Sequence, residues 1–215
     1  MDQPPLRLPP VNGHFITLEG PEGAGKTVQA QRLALELEAR GHAVLLTREP
    51  GGTALGDRVR GLVLDPAGAR IAPRADALLF NAARAQLVFE VIGPALDAGE
   101  VVVCARFADS TLAYQGYGAG VDLEPLRQLA DIATGGLAPD RTVLLDVAPE
   151  IGLGRKSAED RTRFETAFDL EFHRRVRAGF LALAAAEPHR FRVVDAGREP
   201  DAVFADVLAA ALEGL

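Results

Sequence analysis

The chain has 215 residues and a formal net charge of -7, from 23 Lys and Arg against 30 Asp and Glu, which suits one domain with a real core and leaves any anion-binding site to be local. Hydrophobic residues at 48% and charged residues at 25% sit at the globular average, and no apolar run approaches the roughly 18 residues of a membrane span. A single cysteine, Cys104, excludes an internal disulfide framework or a multi-cysteine zinc site. The opening MDQPPLRLPP lacks the pattern of a secretory signal, so the expected location is a reducing cytoplasm. Lysine is nearly absent: only Lys26 and Lys156 occur, the other bases being arginine. That bias makes each remaining lysine a candidate for work that needs a compact point charge.

Residues 1–13 hold four prolines and read as a flexible tail, with one domain expected over 14–215. HFITLE (14–19) is a predicted strand leading through GPEGAGKT into a helical pattern that Gly41 stops. AVLLT (43–47), VVVCA (101–105), TVLLDV (142–147) and FRVVDA (191–196) read as further buried strands, their unbroken apolar character fitting parallel strands covered on both faces. Helical patterns lie near 54–64, 73–98, 122–134, 150–186 and 200–213. Alternation of strand and helix predicts an α/β fold with a doubly wound parallel sheet of about five strands.

Gly20, Pro21, Glu22, Gly23, Ala24, Gly25, Lys26 and Thr27 fit G-x-x-x-x-G-K-[ST] between a predicted strand and a predicted helix, the context in which that loop cradles phosphates. Backbone N–H groups curl around the anion, Lys26 reaches the β and γ phosphates, and the Thr27 hydroxyl is placed to ligate Mg²⁺. The loop predicts an ATP-type site. A guanine-reading Asn-Lys-x-Asp is excluded, because the asparagines, Asn12 and Asn81, precede Gly and Ala.

Three further segments carry more specific information: Thr47 to Thr53 (TREPGGT), Leu79 to Gln86 (LFNAARAQ), and Arg106-Phe107 followed by DSTLAYQG from Asp109 to Gly116. With FITLEGPEGAGKT and PDRTVLLDVAPE, in that order and spacing, they resemble the bacterial thymidylate kinase family from His14 to the C-terminus. The resemblance implies the P-loop kinase fold of nucleoside monophosphate kinases, with a short mobile lid near 153–165. It also implies transfer of the γ-phosphate of ATP to dTMP with Mg²⁺, and a homodimer; the net charge and the lack of a long apolar run add the expectation of no nucleic-acid or membrane partner. Carried over residue by residue, it puts Arg48 and Arg106, with Arg60 as a third, at the acceptor phosphate. Phe80 and Arg84, one helical turn apart, stack on thymine and meet its O4 carbonyl. Thr111, Tyr114 and Gln115 complete the acceptor pocket, with Tyr114 under the sugar.

The lid supplies the cation for the transferred charge, Arg155 first, with Arg161 and Arg163 as alternatives. Two departures from the family pattern stand out. Thr162 replaces an Asp in the lid, and Ala105 replaces the Asp that precedes the strand-end arginine. The second removes a carboxylate expected near the magnesium shell, a role that Glu22 in the phosphate loop is placed to share. The rival readings are a kinase of another nucleoside monophosphate, and a nucleotide-binding variant impaired by Ala105.

Overall fold

The structure, a computed structural model, describes residues 13–159, 161–213 and 215; the expected tail lies, but for Gly13, outside them. Five strands form one sheet: β1 (His14–Glu19), β2 (Val44–Arg48), β3 (Val101–Ala105), β4 (Arg141–Asp146) and β5 (Phe191–Asp195). They pair in the order β2-β3-β1-β4-β5, all parallel. Burial follows position in that order. Every residue of β3 is buried, whereas the edge strands β2 and β5 are only partly so, as expected when central parallel strands are covered on both faces. On one face, α1 (Lys26–Ala39) and α10 (Pro200–Leu212) pack through Leu33, Leu37, Val203 and Val207 onto Ile16, Leu18, Val103 and Val143. On the other, Phe15, Val102 and Cys104 meet Leu87, Ile92 and Leu96, while Leu144 and Phe191 meet Phe172, Val176 and Phe180.

The remaining helices are α2 (Ala54–Leu64), α3 (Pro73–Leu87), α4 (Gly93–Asp97), α5 (Ala108–Thr111), α6 (Leu123–Thr134), α7 (Pro149–Gly154), α8 (Arg163–Ala167) and α9 (Leu170–Ala186). The run predicted as one helix over 73–98 is interrupted by a π-helical turn, Val88–Ile92. Pro94 has no N–H to return to Glu90, and the chain widens just before it. The pattern over 150–186 divides into three helices because two side chains restart it. Thr162 makes a capping box with Glu165, and the Asp169 carboxylate accepts from Phe172 N at 2.8 Å.

Sequence reading missed the element after β3. Residues 108–111 are helical and Leu112–Gly118 continue as a π-helix. Gly118 lies so close to Phe172 and Val176 that a Cβ would come within 2.7 Å of a ring carbon. Here glycine permits close packing of helical backbone.

Register brings the site together. Leu18 of β1 and Arg48 of β2 both pair with Ala105 of β3, so these three strands end at one level and their following loops share one edge, where ligands of open α/β sheets bind.

Candidate active site

The phosphate loop turns from β1 into α1 through Gly20, Gly23 and Gly25, all at positive φ. Gly23 is required by sterics as well as by conformation. A Cβ there would stand 1.9 Å from the carbonyl oxygen of Gly152, and one on Gly152 would stand 2.1 Å from that of Glu22. The loop thus lies backbone against backbone on α7, the helix that leads into the expected lid. Lys26 Nζ donates to the carbonyls of Gly20 (2.8 Å) and Pro21 (2.6 Å). Burial and the neighbouring Arg106 lower its pKa to about 7, against the pull of Glu22 and Glu19. Thr27 is exposed and lines the cleft.

Arg106 follows β3 in the left-handed region at φ 74°, a conformation that costs a non-glycine residue on the order of 1–3 kcal/mol and persists only where the surroundings impose it. Its guanidinium donates to Glu22 Oε1 at 2.7 Å, to the Tyr114 hydroxyl and Ser110 Oγ at 3.2 Å, and to the Gly20 carbonyl at 3.3 Å. Tyr114 OH also donates to Glu22 Oε1 at 2.9 Å, and Lys156 Nζ stands 3.3 Å from Glu22 Oε2 while pairing with Glu165. Burial works against the ionised form of Glu22, but Arg106, Lys26 and Lys156 outweigh it and hold the carboxyl well below the usual range. Burial also opposes the Arg106 cation, yet Tyr114, Glu22 and Glu19 raise its pKa further. The Tyr114 hydroxyl, pushed well up by burial, stays protonated.

Arg84 is buried and gathers partners from four segments. It donates to both oxygens of Glu49 (closest 2.7 Å), to Asn81 Oδ1 (2.9 Å), to Thr111 Oγ1 (3.1 Å) and to the carbonyl of Phe107 (3.0 Å). Phe80, one turn earlier, lines the cleft beside it, as do Arg48, Arg60, Thr111 and Gln115. The Gln115 carboxamide donates to Asp76 at 2.9 Å. Asp76 also takes a 2.6 Å bond from Arg163, which donates in addition to the Val63 carbonyl.

That pairing separates the lid cations. Arg163 is buried against α2 and α3 through these partners, which explains why it does not line the cleft. Arg155 does line it, with Nη1 donating to the carbonyls of Ala196 (3.0 Å) and Gly23 (3.3 Å). Lys156, which the sequence marked only by its rarity, lines the cleft at Glu22. Strand β3 ends in Ala105, which faces the cleft without a titratable group. The carboxylates at this edge are Glu22 and the buried Glu19, whose Oε1 accepts from Phe107 N at 2.7 Å. Glu19, Glu49, Asp76 and Ser110 were not singled out by sequence reading. A buried acid at a strand end next to the glycine loop was the available signal for Glu19.

These side chains surround a cleft of about 810 Å³ running from Phe80 past Lys26 to the 196–200 loop, ample for two nucleotides set end to end. A phosphate loop at the head of a parallel α/β sheet, facing a second wall of arginines, defines a P-loop phosphotransferase. A family model described as thymidylate kinase matches residues 18–207. The chain is 58% identical over 202 residues to the thymidylate kinase of Deinococcus radiodurans, covering 94% of this chain and 97% of that one. It is 56% identical over 186 residues to that of Synechococcus sp. strain JA-3-3Ab, covering 86% and 89%. The crystal structure of thymidylate kinase from Ehrlichia chaffeensis superposes with a TM-score of 0.75 at 36% identity, covering 92% of this chain and 97% of that one. The chain belongs to the thymidylate kinase family.

Proposed function

We propose that the chain transfers the γ-phosphoryl group of ATP to dTMP, giving ADP and dTDP. One observation beyond family membership carries this reading: Lys26 Nζ and Arg106 Nη1 both donate to the Gly20 carbonyl, at 2.8 and 3.3 Å. The donor-side cation and the acceptor-side cation therefore meet across a single oxygen, the spacing that in-line transfer between two phosphates demands.

Gly20 to Thr27 hold the ATP phosphates, Lys26 bridging toward the transferred group. Arg106, Arg48 and Arg60 receive the acceptor phosphate, and Glu22 keeps Arg106 in place while meeting the sugar with Tyr114. Thymine lies on Phe80 with Arg84, Thr111 and Gln115 at its edge, and Tyr114 crowds a 2′-hydroxyl. Arg155, on the lid over about 153–165, stabilises charge on the moving phosphoryl. Among the described residues no cluster of three or more His, Cys, Asp or Glu side chains is arranged to hold a metal. A lone exposed hydroxyl at the loop instead suits an ion held mainly by phosphate oxygens and water. Thr27 would hold Mg²⁺, which when bound neutralises phosphate charge.

Leu78, Phe89 and Ile132 are 58%, 78% and 80% exposed, apolar surface that a second copy of the chain would cover. We assign a homodimer working in the cytoplasm; no described helix is long and apolar enough to cross a membrane. The test of function is ADP formation by the purified chain with a panel of nucleoside monophosphates. The expected preference for dTMP over dCMP is about 100-fold or more in kcat/KM, because cytosine turns a donor toward a donor. Equal use of dCMP would overturn the pocket assignment.

A further inference from the structure

Glu19 closes β1 fully buried and does not line the cleft, yet its carboxylate is spent on the turn that carries Arg106. Oε1 accepts from Phe107 N at 2.7 Å and Ser110 N at 3.2 Å, and Oε2 accepts from the Ser110 hydroxyl at 2.6 Å. Ser110 Oγ in turn accepts from Arg106 Nη1 at 3.2 Å. One side chain therefore grips the backbone just after Arg106 and, through a single hydroxyl, the guanidinium itself. The first gripped N–H, of Phe107, directly follows the residue at φ 74°, Arg106, a conformation that persists only where the surroundings hold it. Burying a carboxylate is costly even when its oxygens are satisfied, so a carboxyl group kept here, behind the cleft lining, points to a task other than stability.

We propose that Glu19 is a positioning residue for phosphoryl transfer, fixing Arg106 where the acceptor phosphate meets the phosphate loop. The proposal rests on the assignment of Arg106 to that phosphate. The titratable and charged groups facing Glu19 are Asp109 on α5, Arg106 after β3, Lys26 on α1 and the buried Cys104 thiol on β3. Burial and Asp109 push its carboxyl up to about 7, opposed by Ser110, Arg106 and Phe107 N–H. Protonation thus removes acceptor capacity from the clamp within the working pH range. A phosphate monoester sheds its second proton lower, near pH 6.

The experiment is a double-mutant cycle with dTMP as varied substrate. Glu19→Gln lowers kcat/KM about 10- to 100-fold in the native background, the scale of a small misplacement of a reacting group. In the Arg106→Ala background it costs less than about twofold, because the residue it positions is gone. The acid limb of the kcat/KM profile, near pH 7 in the native enzyme, moves to about pH 6 in Glu19→Gln. Ser110→Ala, which deletes only the hydroxyl link, repeats the pattern of the cycle should the Gln variant not fold. Undiminished kcat/KM in Glu19→Gln, an equal loss in both backgrounds, or an acid limb that does not move overturns the proposal. A neutral Arg106→Ala would overturn the acceptor-site assignment as well, and so tells the two failures apart.

Discussion

Glu22 Oε1 accepts hydrogen bonds from both Arg106 Nη2, at 2.7 Å, and Tyr114 OH, at 2.9 Å, so a carboxylate of the phosphate loop holds together side chains from two later segments of the chain. Under the proposed assignment this carboxylate couples the donor and acceptor halves of the cleft.

Replacing that oxygen pair tests the coupling. Glu22→Gln takes from Arg106, Lys26 and Lys156 the one carboxylate that all three share. The expected result is a fall in kcat of about 10- to 100-fold with a measurable rise in KM for dTMP. Because these cations hold Glu22 ionised far below neutrality, steady-state profiles of the native enzyme should show no limb between pH 5 and 9 that Glu22→Gln removes. A kcat within about twofold of native would reject the coupling.

Lys26 gives a prediction about protons. Its ammonium is lowered to about 7 by burial and Arg106, and a bound polyphosphate favours the charged form. The free protein is therefore partly deprotonated at pH 7.5, and ATP binding must raise the pKa and take up a proton. Calorimetry of ATP binding in two buffers of different ionisation enthalpy should give net uptake that declines below pH 6 and is absent in Lys26→Met. Turnover should be abolished in the same variant. Proton release, or uptake unchanged in Lys26→Met, would refute this account of the lysine.

Arg84 is expected to serve stability and recognition together. Arg84→Met leaves the buried Glu49 carboxylate without its guanidinium, and breaking a buried pair from one side costs about 3–5 kcal/mol. A chain of this size should lose at least about 6 °C in Tm, and discrimination of dTMP against dCMP should fall together with it. Denaturation scans and kcat/KM ratios on the same preparations decide both points; an unshifted Tm contradicts the ion-pair argument.

The Arg155 side chain lines the cleft from the lid side, and its contribution should show as a split between constants. In Arg155→Ala, kcat should drop more than about tenfold while KM for dTMP changes less than about twofold, since the cation acts on charge that develops only in transfer. If KM rises and kcat holds, the arginine binds substrate and the transferring charge is met elsewhere.

The fold was largely legible because its strands are unbroken apolar runs: VVVCA coincides with β3 and HFITLE with β1. The region after β3 was not, since three glycines within Gly116–Gly120 break a helical pattern, and the packing of Phe172 and Val176 from α9 against Gly118 is visible only in the fold. At the site, Lys26 was marked by its motif, whereas Arg106 and Tyr114 were named through the family resemblance. Glu19 and Glu49 were not, because a carboxylate at a strand end declares its role only when register brings Ser110 or Arg84 against it. Arg155 and Arg163 look alike in sequence; Asp76, 87 residues away along the chain, is what draws Arg163 into the interior.

The scarcity of lysine acquires a practical meaning once both are located. Lys156 stands 3.3 Å from Glu22 and Lys26 acts on the same carboxylate, so the chain's whole complement of side-chain amines lies around one loop. An acylating reagent or amine-directed crosslinker would meet no competing lysine on the surface. Reductive methylation with ¹³C-formaldehyde would likewise place spectroscopic labels at the phosphate loop and the lid without a substitution, one on a buried amine at 8% exposure and one at 21%.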